Sequence, residues 1–500
     1  MANGVTDWLW EAACACPAKT AFSDSSETVT YWELARQAAS AAKKIRRMLD
    51  GEKRLPVGVL IGRNAASVTA FLAVAAAGCF YVPLDPSLPE KRLRDILGVV
   101  KPRLILDASG KVPAAVQGYA VAPLSELTGG EAEYPADAGI MDSDPLYCIF
   151  TSGSTGIPKG VLISHRSVIN MARAFSTVLP IDESSVFGNQ APFDFDVSVK
   201  DIYLTLYHRA RTVILEKSLF SIPKRLMEVL NRERVNTLVW SVSAMKILSA
   251  LRTFRSAYPE HARLIMFSGE ALPARILGEW QDVLPDAQYV NLYGPTEITC
   301  NCAYYRVNRR FADGEPIPVG KPFDNMNVFL LSPGGESPVT QPGEVGEICV
   351  TGAGLALGYY AEPEKTARAF VTNPLTKGWD ERMYRTGDLA KYDADGNLVF
   401  VGRADSQVKY MGFRIELGEI ETAAQSVPFV QSACCLFDER REELWLFYQA
   451  DGQNDAALLA ALREKLPSHM IPRRIRYFEI LPQNRTGKPD RGLLRQTYLT

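Results

Sequence analysis

Short apolar runs alternate with amphipathic stretches along the front of this chain. That alternation restricts it to parallel strands with helices packed on their faces. Residues 57–61, 79–84 and 103–107 have the length and apolar continuity of buried parallel strands, while 31–49, 65–77 and 90–99 carry helical periodicity. The pattern continues through 212–215, 237–240, 264–268 and 289–293. From about residue 325 the texture changes: 328–331, 346–351 and 398–401 are strands broken by Gly, Pro and Asp turns. Past Arg403, the segments 419–426, 457–466 and 475–478 suggest a compact α+β unit. The expected class is therefore α/β. A large N-terminal domain of stacked α/β sheets (1–404) carries a β-rich subdomain (about 325–404), and a small C-terminal α+β domain follows (405–500). A chain of 500 residues needs more than one core in any case.

Fifty-five basic and 57 acidic residues leave a formal net charge of −2, which argues against a protein devoted to nucleic acid. The longest apolar stretch, 68–82, contains Gly78 and is shorter than the ~20 residues of a membrane span, so no membrane insertion is expected. The N-terminus lacks a basic stretch followed by an apolar core. Nine cysteines, an odd number without framework spacing, read as reduced thiols of a cytoplasmic protein. The C-x-C pairs at 14/16 and 300/302 lie far in sequence from any histidine and make poor metal sites.

The chemistry begins at an apolar strand, 147–150, that runs into Thr151-Ser152-Gly153-Ser154-Thr155-Gly156-Ile157-Pro158-Lys159-Gly160. Glycines let backbone N–H groups approach phosphate oxygens, hydroxyls add donors, and Lys159 supplies a cation. The pattern is not G-x-x-x-x-G-K-[ST], and no helix follows at once. A Ser/Gly-rich surface turn is the plain alternative.

Other motifs appear in order: Thr30-Tyr31-Trp32-Glu33-Leu34, residues 78–85, Asn291-Leu292-Tyr293-Gly294-Pro295-Thr296-Glu297, and Gly346-Glu347-Ile348. They continue with Tyr384-Arg385-Thr386-Gly387-Asp388-Leu389, Gly402-Arg403-Ala404-Asp405 and Asn484-Arg485-Thr486-Gly487-Lys488. With the loop, they make the chain resemble the adenylate-forming enzymes over nearly its whole length. More narrowly, it resembles the amino-acid adenylation domains of nonribosomal peptide synthesis and the D-alanine–carrier protein ligases.

The resemblance implies ATP and Mg²⁺ as cofactors and assigns roles. Thr151, Ser152, Gly153, Ser154, Thr155, Gly156 and Lys159 would handle the phosphates. Tyr293 would pack on adenine, Asp388 would accept the ribose hydroxyls, and Arg403 would lie near the nucleotide. Thr296 would contact the α-phosphate, and Glu297 would help hold Mg²⁺, a cation that prefers carboxylate and phosphate oxygens. Lys488 would bridge carboxylate and phosphate as the principal catalytic group, where positioning and charge stabilisation are what the reaction needs. Asp405 falls at the family's hinge, so the resemblance implies that the small C-terminal domain is mobile. Rotation there would withdraw Lys488 and bring residues 409–412 toward an arriving thiol.

Phe195-Asp196-Val197 matches the segment in which amino-acid-activating members set an aspartate against the substrate ammonium. A buried carboxylate opposite a cation is physically sensible, since an unpaired buried charge is costly. The other pocket positions are Val197, Lys200, Trp240, Met266, Ser268, Leu292, Cys300 and Asn301. Trp240 and Met266 take up volume, which favours a small substrate such as alanine, of either hand, or serine. Lys200 pointing inward would favour an acidic side chain; its stem could instead lie along the wall with the amine in water.

The resemblance further implies transfer of the acyl group to the phosphopantetheine of a separate carrier protein. Arg473, Arg474, Arg476, Lys488, Arg491 and Arg495 would help attract such a partner if it is acidic. Pro333-Gly334-Gly335-Glu336-Ser337 reads as a hairpin turn rather than a carrier's attachment serine. The competing readings are an acyl- or aryl-CoA ligase, which Asp196 disfavours, and a degenerate nucleotide-binding regulator, which the retained Lys159, Glu297, Asp388 and Lys488 disfavour.

Overall fold

The computed structural model describes residues 3–130, 139–153, 157–404, 407–483 and 489–499. Two large sheets dominate. The first runs, edge to edge, through Gly358–Tyr359, Lys159–Ser164, Pro145–Thr151, Phe80–Leu84, Pro56–Leu60, Leu104–Asp107 and Val121–Pro123. The second has nine strands, of which Thr20–Ser23, Arg211–Ile214, Val186–Asn189, Thr237–Ser241, Leu264–Ser268 and Gln288–Tyr293 form its parallel middle.

Two helices show why these sheets stack. Ala65–Ala76 is buried at every position but Ala66, and Val197–His208 is buried from Val197 to Leu206. The first is almost wholly apolar and has to be enclosed, and the second is enclosed although it carries Lys200 and Asp201. Both contribute to one core that also takes residues from both sheets. The hydroxyls of Tyr81, in the first sheet, and Tyr203, on the second helix, meet at 3.0 Å in that core.

A third, antiparallel sheet of six strands lies between Met326 and Arg403, its first turn made by residues 332–337. The tail consists of a hairpin (Gln407–Tyr410 with Phe413–Glu416), a three-stranded sheet and three α-helices. Its residues fill cores of their own. Ion pairs Arg92–Glu419 and Lys246–Glu442 tie it to the larger part. Among the described residues, no helix is long and apolar enough to cross a membrane, and all nine cysteines are free thiols.

Strands Thr237–Ser241, Leu264–Ser268 and Gln288–Tyr293 run parallel and in register, so their carboxyl ends share one edge, where α/β sheets bind ligands. Register also decides which side chains face the site. Val239, Met266 and Val290 align on one face with Ser241, Ser268 and Leu292, while Trp240 and Phe267 point the other way. Trp240 is thus misassigned by sequence matching. Its Nε1 donates to the Gly188 carbonyl at 2.8 Å and its ring meets Phe220 and Trp280 in a separate core. Val239 holds the site-facing position instead.

The enclosed helix carries a titrating group. Asp201 is fully buried, its Oδ2 accepting from Asn189 Nδ2 at 2.7 Å while Oδ1 has no partner among the described residues. Burial pushes its carboxyl up to about 7, against the opposing pull of Asn189, Lys200 and Arg63. The folded chain therefore keeps a proton that the unfolded chain releases near 3.8. The stability this proton supplies is full below that value and is lost as pH rises through about 7. Asp201→Asn should accordingly raise the melting temperature over wild type at pH 8 by several degrees and far less at pH 5, as thermal unfolding at the two values will report.

Candidate active site

Residues 293–301 turn sharply at the end of strand Gln288–Tyr293, and this turn organises the site. A Cβ on Gly294 would stand 2.6 Å from the Cys300 carbonyl oxygen and from Asn301 Cα, so only glycine allows the returning chain to pass this close. Thr299 and Cys300 both adopt left-handed backbone, at φ +58° and +71°. For a β-branched residue such as Thr299 this is strained, at roughly 1–3 kcal/mol. The Thr299 hydroxyl, donating to Gly354 O at 2.8 Å, helps hold it.

The strained turn buries Glu297 completely. Its Oε1 accepts from the Tyr359 hydroxyl at 2.8 Å and lies 3.3 Å from Lys159 Nζ, and its Oε2 accepts from Arg414 at 2.8 Å. Burial alone would push this carboxyl up, yet the Arg414 and Lys159 cations hold it well below the usual carboxylate range. Three separate parts of the chain thereby converge on one carboxylate.

Asp388 is also buried. Its Oδ2 accepts from Tyr293 Oη at 2.6 Å and its Oδ1 from Arg403, which also reaches Thr386 O. Burial, with the Asp388 charge adjoining, pushes the Tyr293 phenol well up, so it stays a donor. Lys409 Nζ lies 5.5 Å from the centre of the Tyr293 ring.

Strand Pro145–Thr151 leads into the glycine-rich loop. A Cβ on Gly153 would fall 2.0 Å from Ile157 O, which accounts for a glycine there. Gly153 N donates to Glu419 at 3.2 Å; Ser152 Oγ donates to Arg414 O and accepts from Glu416 N. Thr151 Oγ1 is buried without a partner among the described residues. Ser154, Thr155, Gly156, the proposed hinge Asp405 and the proposed catalytic Lys488 lie outside the described residues.

Asp196 stands at the N-terminus of helix Val197–His208. Burial raises its carboxyl, opposed by the Thr296 hydroxyl and by Lys200. Neighbouring Asp194, pushed up to about 6 by burial and by Asp85, has Arg63 and Lys217 as its cationic neighbours and belongs to different surroundings. Cys300 Sγ donates to Asp196 O at 2.8 Å, and Lys200 Nζ donates to Asn301 Oδ1 at 2.7 Å. Lys200 is fully buried, so its amine does not reach water as the snorkelling alternative requires. Val197, Met266, Ser268, Leu292, Cys300 and Asn301 are all buried at this edge of the sheet or beside it.

Four residues at the site were not singled out from sequence: Arg414, Tyr359, Val239 and Glu270. Arg414 was legible in principle. Met411 and Gly412 both take positive φ, the signature of a two-residue hairpin turn, which puts Lys409 and Arg414 directly opposite each other on one face. Gly412 N then donates to Glu270 Oε1, which also accepts from Ser243 Oγ. Tyr359 and Glu270 come from distant segments with no local signature.

This arrangement offers a buried carboxylate among cations, a second carboxylate beside an aromatic ring, and a third at a helix start. Comparison with known proteins gives it a family. Residues 9–360 match the AMP-binding enzyme model and 419–488 match the AMP-binding enzyme C-terminal domain. The chain belongs to the AMP-binding enzymes. It is an adenylate-forming enzyme of the peptide-synthetase and carrier-protein-ligase type.

The D-alanine–D-alanyl carrier protein ligase of Bacillus licheniformis is 32% identical, with 96% of each chain covered. A mycosubtilin synthase polypeptide of Bacillus subtilis is 34% identical over 97% of this chain, which spans 19% of that protein. Across six such curated relatives, the chain spans between 6% and 37% of their length. Among solved structures, PA1221, a nonribosomal peptide synthetase protein with adenylation and carrier domains, superposes with a TM-score of 0.85 at 26% identity, covering 99% of this chain and 84% of that one. IdnL1 superposes at 0.82 with 29% identity, covering 96% and 99%.

Arg414→Ala should strip one cation from Glu297 and unseat the hairpin. Breaking a buried pair costs about 3–5 kcal/mol, and because Lys159 remains, the lower end is expected. Tyr359→Phe removes a neutral hydroxyl that donates to Glu297 and accepts from Lys159 at 3.3 Å, and should cost about 1 kcal/mol. Urea unfolding of both variants, with hydrogen exchange at residues 407–416 rising only in the first, checks this order.

Proposed function

We propose that the chain uses ATP to convert an amino acid's carboxylate into an aminoacyl-adenylate and then passes the acyl group to the phosphopantetheine thiol of a separate carrier protein. In the first step a carboxylate oxygen bonds to the α-phosphorus and pyrophosphate leaves. In the second the thiolate attacks the acyl carbon and AMP leaves. The observation that carries the amino-acid reading is Asp196: a buried carboxylate at the ligand edge, with the Thr296 hydroxyl beside it.

The residue roles are those the family resemblance implies, supported by charge and, for the described residues, by position. Asp196 takes the substrate ammonium, and Thr296 lies between it and the phosphate region. Asp388 and Tyr293 provide the nucleoside end, with Arg403 fixing Asp388. Lys159 and the hydroxyls and backbone of the glycine-rich loop steer the departing pyrophosphate. Lys488 neutralises the carboxylate and phosphate oxygens as they meet. Glu297 has the hard oxygen donors that suit Mg²⁺, provided Arg414 gives up Oε2. Bound there, the ion would neutralise phosphate charge. Met266, Leu292 and the stem of Lys200 crowd the substrate face, which supports a short side chain.

Hairpin 407–416 lies across Tyr293, Glu270 and Glu297, a position suited to the thiol step and not to nucleotide entry. For the carrier, the basic tail set offers less charge than the sequence suggests. Arg473 and Arg474 share Glu443, and Arg491 pairs with Glu421.

Amino-acid-dependent exchange of pyrophosphate into ATP tests the reading. Exchange is expected with amino acids and not with fatty or aryl acids; the reverse would make the chain an acyl- or aryl-CoA ligase, and none with any acid a nucleotide-binding regulator. Lys488→Ala should lose most exchange, roughly a hundredfold or more, while still binding ATP by calorimetry. Near-normal exchange would remove Lys488 from the chemistry.

A further inference from the structure

A buried ammonium with one neutral partner is rare because taking a charge out of water costs several kcal/mol unless it is paired. Lys200 is such a group. It is fully buried, and its one hydrogen bond among the described residues is to Asn301 Oδ1, leaving two of its three N–H donors unused. No described carboxylate lies within ion-pair distance, although Asp196 and Asp201 both feel its charge. Asp201 forms no ion pair with it: its Oδ2 accepts from Asn189, and burial pushes its carboxyl up to about 7, toward the neutral form. Asp196 is the group the amino-acid reading commits to the substrate's own ammonium. With substrate bound, that ammonium neutralises Asp196, and the Lys200 charge is left over.

Position makes the missing partner specific. Lys200 follows Asp196 by four residues, so the two project from one helix face about one turn apart, ~5–6 Å along the axis. A cation thus stands one helical turn from the carboxylate assigned to the substrate ammonium, on the side to which the substrate's side chain extends. The strained turn at Thr299 and Cys300 is what delivers Asn301 to the Lys200 amine and Cys300 Sγ to the Asp196 carbonyl. Strain stored at that point fixes the orientation of the ammonium rather than leaving it free to withdraw.

We infer that Lys200 is a specificity-determining residue that pairs with a carboxylate on the substrate's side chain, so that the amino acid activated is of the aspartate or glutamate class. This rests on the amino-acid reading given above. Alanine and serine, which volume alone would favour, leave the buried charge unanswered. A site built around a buried ionic group rejects analogues that lack its partner far more strongly than an apolar pocket rejects a missing methylene.

The test is pyrophosphate exchange by the full chain with aspartate, glutamate, asparagine, glutamine, alanine and serine in both hands, for wild type and Lys200→Met. Wild type should prefer an acidic amino acid over its amide by roughly a hundredfold or more in kcat/KM, carried mainly by KM. Lys200→Met should erase that preference and leave the amide or alanine the better substrate. A merely structural lysine would lower all six together and keep their order. The wild-type ranking decides the matter even if the variant does not fold. Preference for alanine or serine over both acids overturns the inference while leaving amino-acid activation intact. Exchange with no amino acid overturns both.

Discussion

Everything at the centre of this molecule depends on keeping Glu297 charged and buried. A lone carboxylate would not tolerate that position, because desolvation penalises the charged form heavily. It is held there by Lys159 from the glycine-rich loop, Tyr359 from a short edge strand and Arg414 from the tail. Lys159 and Tyr359 come from paired strands of the first sheet, and Arg414 from the tail hairpin. The carboxylate, at the end of a strand of the second sheet, therefore joins both sheets and the tail hairpin.

Much of this was legible in sequence where function rides on local pattern. Short apolar runs flanked by helical periodicity announce parallel strands because such strands are buried on both faces. The Asn291–Glu297 segment announces a ligand turn because Gly294 has no substitute where two backbones pass. What stayed hidden depends on register and on long-range return of the chain. Trp240 and Val239 are adjacent, and in a strand adjacent residues face opposite ways, so an assignment one position off exchanges a core tryptophan for a valine at the site. Tyr359 and Glu270 reach the site only through tertiary folding, and nothing in their neighbours in sequence marks them. Lys200 shows a different limit, since sequence left its amine a choice between water and the interior that only packing resolves.

The substrate end is built on opposed charges rather than on shape alone. Asp196, Lys200 and Asp201 occupy one buried helix and its start, with the Thr296 hydroxyl and the Asn301 and Asn189 amides as their neutral partners. Such a cluster is high-stakes in a low-dielectric interior: satisfied, it specifies one ligand, and unsatisfied, it destabilises the fold. The upward-shifted Asp201 shows part of that cost already present in the ligand-free chain.

The hairpin that carries Lys409 and Arg414 has a consequence for the order of events. Arg414 occupies the Glu297 oxygen that a metal ion would need, so if Mg²⁺ binds there one positive neighbour of this carboxylate would replace another. Because Glu297 would then not be left bare, withdrawal of the hairpin would not incur the full cost of an unpaired buried anion. Withdrawal of the hairpin and binding of a metal ion at Glu297 would then be linked, with Arg414 as the resident counter-ion that the metal would replace.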